Sequence, residues 1–417
     1  MNYLLKRYSE AAGSEVVDHL RQLATPLAGL KIVHVNSTRE GGGVAEILVK
    51  MIPFMEALGL QARWEVIEGN PEFYDCTKAF HNGLQGTTVG LSDSMLAAYE
   101  EVNRGNCERL RPVLEEADFV FIHDPQPALF LGLCPNRQGK WVWRCHIDCS
   151  KPYRPVWKYL KNHVTGYDAS IFSLPDFAQP LPHLQYLIAP SIDPLSDKNR
   201  ELDDQEIEKN LADFDLDPDL PLILQVSRFD RFKDPIGVIH AYKIASKITP
   251  MQLVLAGGGA TDDPEGEIVL NEVKKAAGDD PNIRILLLPP DAHSQINALQ
   301  RRADIVLQKS IKEGFGLTVS EAMWKGRPVI GGDTGGIRLQ VINHYTGFLV
   351  QSPEGAALRI RYLLHNREKS QEMGQRARRF VHQNFLLTRH MREYLALMIG
   401  IHHGLKDRIN VAYMADQ

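Results

Sequence analysis

Short apolar, β-branched runs alternate along this chain with longer amphipathic segments, and this alternation constrains the fold more than any other feature. It is the pattern of a parallel sheet covered by helices, so we predict an α/β protein built from two consecutive doubly wound sheets. The predicted strands cover residues 31–35, 63–67, 119–123, 141–145 and 170–173 in the first half, then 222–227, 252–256, 284–288, 305–308, 328–331 and 347–350.

The chain has 417 residues. A single hydrophobic core rarely supports a chain of this length, so two domains are expected. Pro190 and Pro194 lie in a segment between the two halves that suits an extended connection, and we end the first domain at residue 193. The second domain then covers 194–385. An arginine-rich helical pattern with a break near Phe385 leads into segment 386–417, which we expect to pack back on domain 1–193.

The charge balance argues against several classes of partner. Lys plus Arg number 47 against 52 Asp plus Glu, which leaves a net charge of −5 and no broad positive field for nucleic acid or an anionic membrane. Residues 1–7 lack the apolar core of a secretory signal, and no run approaches the ~18 apolar residues of a membrane span. We expect a cytoplasmic protein without nucleic-acid or membrane partners, for which a homodimer is compatible with the sequence.

The five cysteines are odd in number and contain no CxxC pair, so the sequence predicts neither a disulfide framework nor a structural zinc site. The segment from Cys145 to Cys149 also contains His146 and Asp148 and concentrates metal ligands. One short cluster without a distant partner is weak support for a metal, and we predict none.

Three glycines, Gly41, Gly42 and Gly43, follow the first predicted strand and open a helix. Helix N-termini present free amides to anions, which predicts a phosphate-binding loop. The spacing is neither the GxGxxG of dinucleotide-binding proteins nor a P-loop. The alternative interpretation is a tight turn from strand to helix with no ligand.

Arg228 and Lys233 follow the first strand of the second half, where open α/β sheets bind ligands. Asp234 and Pro235 have the sequence of an N-cap and a first helical residue. Two cations at that position could balance a diphosphate leaving group. The alternative is a pair of solvated surface charges.

Glu313 and Glu321 flank a glycine-containing loop and the start of a helix. The amides between Gly314 and Leu317 could approach a ligand closely because the glycines have no side chain. Both carboxylates would then accept hydrogen bonds from sugar hydroxyls. For Glu321 alone, a capping box with Thr318 is the alternative.

The run Glu313-Gly-Phe-Gly-Leu-Thr-Val-Ser-Glu321, with Arg228, Lys233 and the glycine loop upstream, resembles the retaining glycosyltransferases of family 4. That family has the GT-B fold, in which two Rossmann-like domains face each other across a cleft. Several further motifs resemble the trehalose glycosyltransferring synthases, which join a nucleoside-diphosphate glucose to free glucose and form α,α-trehalose. These motifs occupy residues 34–38, 41–48, 80–86, 123–127, 143–148 and 321–326.

The resemblance implies an N-terminal acceptor domain, a C-terminal nucleotide-sugar donor domain and a set of donor contacts. Glu321 would bind the ribose, and His146 would lie beside the 6-hydroxyl of the donor sugar. The groups that would hold the transferred glucose are Glu313 and the amides of Gly314, Phe315, Gly316 and Leu317. The groups that would hold the diphosphate are Arg228, Lys233 and the amides of Gly42 and Gly43.

Acceptor contacts are expected on loops of the first domain. The residues proposed for them are Arg39, Glu40, His123, Asp124 and Asp148, although His123 could simply end its strand. We expect UDP- or ADP-glucose as donor, no required cofactor, and magnesium as an activator at most. Three other functions stay open: a trehalose phosphorylase, a nucleotide-sugar 2-epimerase that needs no acceptor, and a non-catalytic sugar-nucleotide sensor.

Overall fold

The computed structural model describes residues 2–39, 43–258 and 264–404. The chain divides into two compact units, one formed by Met1–Ser191 with Leu387–Gln417 and the other by Ile192–Leu386. The sequence prediction put these breaks after residues 193 and 385. Each unit contains one parallel six-stranded sheet, which confirms the predicted α/β class.

In the first unit the strands are ordered β2-β1-β3-β4-β5-β6. The chain adds β2 on one side of β1 and then β3 on the other, so the winding reverses between β1 and β3. The strands are β1 Lys31–Asn36, β2 Gln61–Val66, β3 Phe119–His123, β4 Lys140–Arg144, β5 Ala169–Phe172 and β6 Leu184–Leu187. The helices are α1 Tyr3–Ala12, α2 Ser14–Ala24, α3 Gly43–Ala57, α4 Pro71–Leu84, α5 Asp93–Glu115, α6 Phe130–Leu133 and α7 Arg154–Val164.

In the second unit the order is β12-β11-β10-β7-β8-β9, which is the strand order of a Rossmann sheet with its reversal between β7 and β10. The strands are β7 Leu222–Val226, β8 Gln252–Gly257, β9 Ile283–Leu287, β10 Ile305–Gln308, β11 Val329–Gly332 and β12 Gly347–Val350. The helices are α8 Asp204–Leu211, α9 Pro235–Ser246, α10 Pro264–Ala277, α11 His293–Arg302, α12 Leu317–Trp324, α13 Ile337–Gln340, α14 Pro353–His365 and α15 Arg367–Asn384.

Central strands of both sheets are buried along all or nearly all of their length. Every residue of β3 and β7 is buried, as expected where helices cover both faces of a parallel sheet. Strand β6 was missed by the sequence prediction because it forms an edge with Leu184 and Leu187 about half exposed. Its residues therefore lack the continuous apolar run that marks the inner strands.

The last described helix, α16 Leu387–His402, belongs to the first unit, where it packs against α2. Leu387, Met391 and Leu395 are buried there. Arg389 donates from Nη2 to the carbonyl oxygens of Ala189 and Pro190, each at 2.9 Å. Among the described residues, no helix is both long enough and apolar enough to cross a membrane.

Candidate functional site

Two loops meet at the point where the winding of the second sheet reverses. Lys233 follows β7, and Glu313 follows β10. Lys233 Nζ donates to Glu313 Oε2 at 2.7 Å, and the hydroxyl of Ser310 donates to the same oxygen at 3.1 Å. The Lys233 and Glu313 side chains are only 18% and 8% exposed, so this ion pair is shielded from solvent. Ligands of open α/β sheets bind at such reversals, outside the carboxyl ends of the strands.

The loop after Glu313 presents unused amides. Within the part of the chain described, the amide nitrogens of Gly314, Phe315, Gly316 and Leu317 have no hydrogen-bond partner. Gly316 has a φ of 82°, which glycine adopts without strain, and no side chain caps the helix that follows. Four adjacent free amides at a helix N-terminus favour an anionic or hydroxylated ligand.

Glu321 lies on the inner side of α12 and is 5% exposed. The capping box that was its alternative explanation does not form, because the helix begins at Leu317 and its N-cap is Gly316. In the described residues the carboxylate has no hydrogen-bond or ion-pair partner. Burial lowers the pKa of Lys325, one turn along the helix, to about 7, and the charge of Glu321 opposes that change. A buried carboxylate without a partner is costly unless a ligand satisfies it.

A second loop supports the first through backbone contact, and the sequence patterns did not reveal it. Gly335 and Gly336 follow β11, and a Cβ on Gly335 would lie only 1.7 Å from the carbonyl oxygen of Glu313. Gln340 donates from Nε2 to the Phe315 carbonyl oxygen at 2.5 Å and accepts at Oε1 from the Ser320 hydroxyl. The Gly335-Gly336 pair was the available signal, but its partner loop cannot be identified without the strand order.

Asp234 and Arg228 both lie close to Lys233 in the sequence, but the structure gives them different contacts. Asp234 accepts from the amide of Gly237 and caps α9, which begins at Pro235, so the predicted capping is confirmed. Lys309 forms an ion pair with the same aspartate. Arg228 is 70% exposed and pairs with Asp230, so the structure does not bring it onto Glu313.

In the first unit, three histidine rings form a hydrogen-bonded chain beside the reversal between β1 and β3. His34 Nδ1 lies 3.0 Å from His123 Nε2, and His123 Nδ1 lies 2.9 Å from His146 Nε2. His34 and His123 are buried, whereas His146 is half-buried. Burial lowers the pKa of His34 to about 3 and holds the pKa values of His123 and His146 well below their usual range. The neutral forms are therefore favoured.

Asp124 and Asp148 shape the loops on either side of His146. Asp124 has a φ of 62°, and its Oδ1 accepts from the His146 amide at 2.7 Å. Burial raises the pKa of Asp124 to about 7, against the lowering effects of that hydrogen bond and of Arg144. Asp148 accepts from the Ser150 amide at 2.9 Å.

Arg39 lines an open pocket of about 520 Å³ beyond the ends of β1 and β2. Its guanidinium lies 5.0 Å from the centre of the Trp64 ring and donates to the Trp64 carbonyl oxygen. The other polar and charged side chains of the pocket belong to Ser37, Thr38, Glu65, Glu68, Tyr74 and Arg109. The predicted Glu40 and Gly42 lie outside the described residues, and Gly43 is the first residue of α3.

The described histidine, cysteine and acidic side chains do not gather around a common point. Over residues 2–39, 43–258 and 264–404, no group of three or more His, Cys, Asp or Glu side chains is arranged to hold a metal ion. The Cys145 and Cys149 sulfurs lie 3.4 Å apart, as a thiol contact inside the core. His146, between them in sequence, bonds to His123 instead.

Both halves of the chain match known protein families. Residues 34–179 match the family model of the trehalose synthase N-terminal domain, and residues 206–380 match that of glycosyl transferases group 1. A trehalose synthase of Pyrococcus horikoshii is 45% identical over 399 residues, covering 94% of this chain and 95% of that protein. One of Rubrobacter xylanophilus is 41% identical, covering 94% and 96%. A trehalose phosphorylase of Pleurotus pulmonarius is 29% identical, covering 85% of this chain and 55% of its own length.

Solved structures share the fold at low sequence identity. Anabaena HepE in complex with UDP-glucose superposes with a TM-score of 0.68 at 16% identity, covering 89% of this chain and 99% of that one. A UDP-forming α,α-trehalose-phosphate synthase from Burkholderia xenovorans gives 0.71 at 14%, covering 90% and 99%. With both family models matched and trehalose synthases 41% and 45% identical along most of its length, the chain belongs to the trehalose synthase family of GT-B glycosyltransferases.

Proposed function

We propose that this protein transfers glucose, with retention of configuration, from a nucleoside-diphosphate glucose to free glucose and so forms α,α-trehalose. The observation that supports this most directly is Glu321, a buried carboxylate without a partner beside a loop of free amides. A ribose supplies two adjacent hydroxyls that can donate to such a carboxylate. The UDP-glucose complex of the fold relative HepE is consistent with a nucleotide-sugar donor.

In this proposal the donor lies against the second unit. Glu321 binds the ribose, while Glu313 and the amides from Gly314 to Leu317 hold the transferred glucose. Lys233 and Arg228, with the amides of Gly42 and Gly43, bind the diphosphate. His146 meets the 6-hydroxyl of the donor sugar. No cofactor is required, and magnesium acts as an activator at most.

The reaction then proceeds by attack on the same face of the sugar from which the diphosphate leaves. The acceptor hydroxyl oxygen bonds to the anomeric carbon as the bond from that carbon to the phosphate oxygen breaks, and the phosphate oxygen takes the hydroxyl proton. Lys233 stabilises the negative charge that develops on the diphosphate. In this proposal Glu313 is not the nucleophile, because its Oε2 is held by Lys233 and Ser310 and its carboxylate is assigned to the hydroxyls of the transferred glucose.

The acceptor glucose is assigned to the first unit. The pocket beside Arg39 has about 520 Å³, ample for a hexose, and Glu65, Glu68, Arg109 and Tyr74 offer the carboxylates, cation and aromatic ring that sugar hydroxyls and ring faces contact. His123, Asp124 and Asp148 position the loop around His146 in the structure, so we assign them a supporting role in the acceptor site. Glu40 is carried over by resemblance alone.

A trehalose phosphorylase is the second candidate, favoured by the Pleurotus relative. A phosphorylase uses inorganic phosphate and needs no ribose anchor, so it leaves the buried Glu321 carboxylate unexplained. A 2-epimerase would turn over the donor alone, and a sensor would bind it without releasing nucleoside diphosphate.

One incubation separates these functions. The protein is mixed with UDP-, ADP- or GDP-glucose, or with trehalose and inorganic phosphate, each with and without glucose, and the products are identified by NMR. We expect an α,α-1,1-linked disaccharide and free nucleoside diphosphate only when donor and glucose are both present. Phosphate-dependent cleavage of trehalose without any nucleotide-dependent synthesis would establish the phosphorylase instead.

A further inference from the structure

The chain of three histidines couples a residue inside the sheet to a residue of the proposed donor site. His34 lies within β1, His123 is the last residue of β3, and His146 lies two residues beyond β4. The two ring contacts, 3.0 Å and 2.9 Å, use both nitrogens of His123. The Nε2 of His146 is thereby occupied, while its Nδ1 has no partner in the described residues.

The protonation of these rings is interdependent. Burial, followed by the neighbouring His34 and His146 rings and the Arg144 guanidinium, keeps the pKa of His123 low, so a charged ring is disfavoured. A hydrogen bond between two neutral imidazoles needs one N–H and one lone pair. Only two arrangements satisfy both contacts: all three protons on Nδ1, or all three on Nε2.

The buried end of the chain distinguishes the two arrangements. His34 Nε2 is buried and has no partner among the described residues. With the protons on Nδ1, His34 Nε2 carries an unused lone pair. With the protons on Nε2, it carries an N–H that has no acceptor. Among backbone groups, orphaned buried N–H donors are rarer than under-used C=O acceptors, and we infer the same preference for the imidazole nitrogen, so the Nδ1 arrangement is favoured. His146 then carries its proton on the nitrogen that no protein group uses.

We propose that His34 and His123 are positioning residues that fix the tautomer of His146, so that its Nδ1 presents an N–H donor to an oxygen of the bound sugar nucleotide. The oxygen could belong to a sugar hydroxyl or to a phosphate, and both accept from an N–H. The identity of this ligand rests on the proposed function, whereas the tautomer does not.

Other contacts hold the rings in place without dictating the proton. His34 stacks on Phe121 with ring centres 4.7 Å apart and an interplanar angle of 9°. The His146 amide donates to Asp124 at 2.7 Å, which fixes the backbone of the outer ring. A phenylalanine at position 34 would keep the stack and remove only the proton donor, which makes it a selective test.

The tautomer is measured directly by long-range proton–nitrogen NMR of histidine-labelled protein without ligand, with the signals assigned by single substitutions. We expect His34, His123 and His146 all to carry the proton on Nδ1. Observation of His146 with its proton on Nε2 overturns the proposal, whatever the enzyme makes.

Two variants then test the coupling. His34→Phe should turn His146 into a mixture of tautomers and lower kcat about fivefold, the effect of one lost hydrogen bond to the sugar nucleotide. The thermal midpoint should fall by a few degrees, because the buried His123 Nε2 loses its partner. His34→Asn keeps a nitrogen donor near the position of Nδ1 and should restore most of both signals. An unchanged His146 tautomer in His34→Phe contradicts the proposal. A shifted tautomer in a protein that makes no trehalose would contradict only the proposed function.

Discussion

Lys233 and Glu313 are separated by 80 positions in the sequence, yet the Lys233 ammonium donates to the Glu313 carboxylate at 2.7 Å. The contact joins two loops at the point where the winding of the second sheet reverses, because one residue follows β7 and the other follows β10. Each residue therefore has two functions in our proposal: it binds the donor, and it holds its partner loop in place.

Lys233→Ala should reduce both activity and stability. The loss of a preorganised cation is expected to lower kcat more than it raises KM, by roughly 2–4 kcal/mol in transition-state stabilisation. Glu313 would be left buried without its ion-pair partner, so the thermal midpoint should fall as well. Arg231→Ala is the matched control, since Arg231 is on the same turn and pairs with Glu272. Steady-state kinetics and calorimetry on both variants provide the comparison.

Arg228→Ala should separate catalysis from stability. The side chain is 70% exposed, so loss of its pair with Asp230 should change the free energy of unfolding by about 0–1 kcal/mol. If Arg228 binds the diphosphate of the donor, kcat should nevertheless fall, because the activation free energy should rise by roughly 2–4 kcal/mol. Normal turnover in this variant would remove Arg228 from the proposed site.

Glu321→Gln should weaken donor binding without weakening the fold. The substitution removes a buried charge that has no hydrogen-bond or ion-pair partner in the described residues, so the thermal midpoint should change little, because the relieved desolvation offsets the lost attraction to Lys325. Binding of the nucleoside diphosphate should weaken about tenfold, since the ribose loses a charged acceptor. Calorimetric titration measures this, and equal affinity in both proteins would refute the ribose assignment.

Gly335→Ala and Gly314→Ala form a matched pair on facing loops. A Cβ at Gly335 would overlap the Glu313 carbonyl oxygen, so the loop must move. The free energy of unfolding should fall by about 1–3 kcal/mol, which lowers the thermal midpoint by several degrees. A Cβ at Gly314 meets open space, so the fold should be unaffected. Because that space is where the donor sugar is proposed to lie, Gly314→Ala should still raise KM for the donor. Equal thermal midpoints for the two variants would contradict this.

Asp124→Asn should change how stability depends on pH. Burial raises the pKa of Asp124 from 3.8 to about 7, so across this window the folded protein holds a proton that the unfolded chain has lost. Asp124 therefore stabilises the fold fully below 3.8, and this contribution disappears as the pH rises through about 7. Asparagine tolerates the left-handed backbone and cannot titrate. Between pH 3.8 and about 7, the free energy of unfolding of the variant should therefore rise relative to that of the wild type by about 1.4 kcal/mol per pH unit. Parallel stability curves would show that Asp124 does not titrate there.

The sequence predicted eleven of the twelve strands found in the described residues, and it marked the loops after β7 and β10 as candidate ligand loops. Central strands of a covered sheet are mostly apolar, and residues after them converge at the carboxyl edge, which is how Arg228 and Lys233 were predicted to lie where ligands bind. Glu313 was linked to them through the family resemblance. Strand β6 escaped notice because Leu184 and Leu187 lie on an exposed edge. Three of the four residues of β6 are exposed, a larger share than in the edge strands β2, β9 and β12, which were predicted.

The histidine chain could not be predicted from the same patterns. His34 sits in an apolar strand and His123 ends another, and neither position marks a polar contact. Their meeting depends on β1 and β3 being neighbours in the sheet, with β4 next to β3. The close packing of Gly335 on Glu313 likewise requires the order of β10 and β11, which a single sequence does not reveal.

The return of α16 to the first unit has a consequence for biosynthesis. The first unit is discontinuous: its sheet is complete by Leu187, but Leu387, Met391 and Leu395 of its core are translated only after the entire second unit. On the ribosome, the second unit can therefore finish folding while the first still exposes the apolar surface that α16 will cover. We expect nascent chains paused before Leu387 to bind chaperones through this surface, and chains released after α16 to lose that affinity.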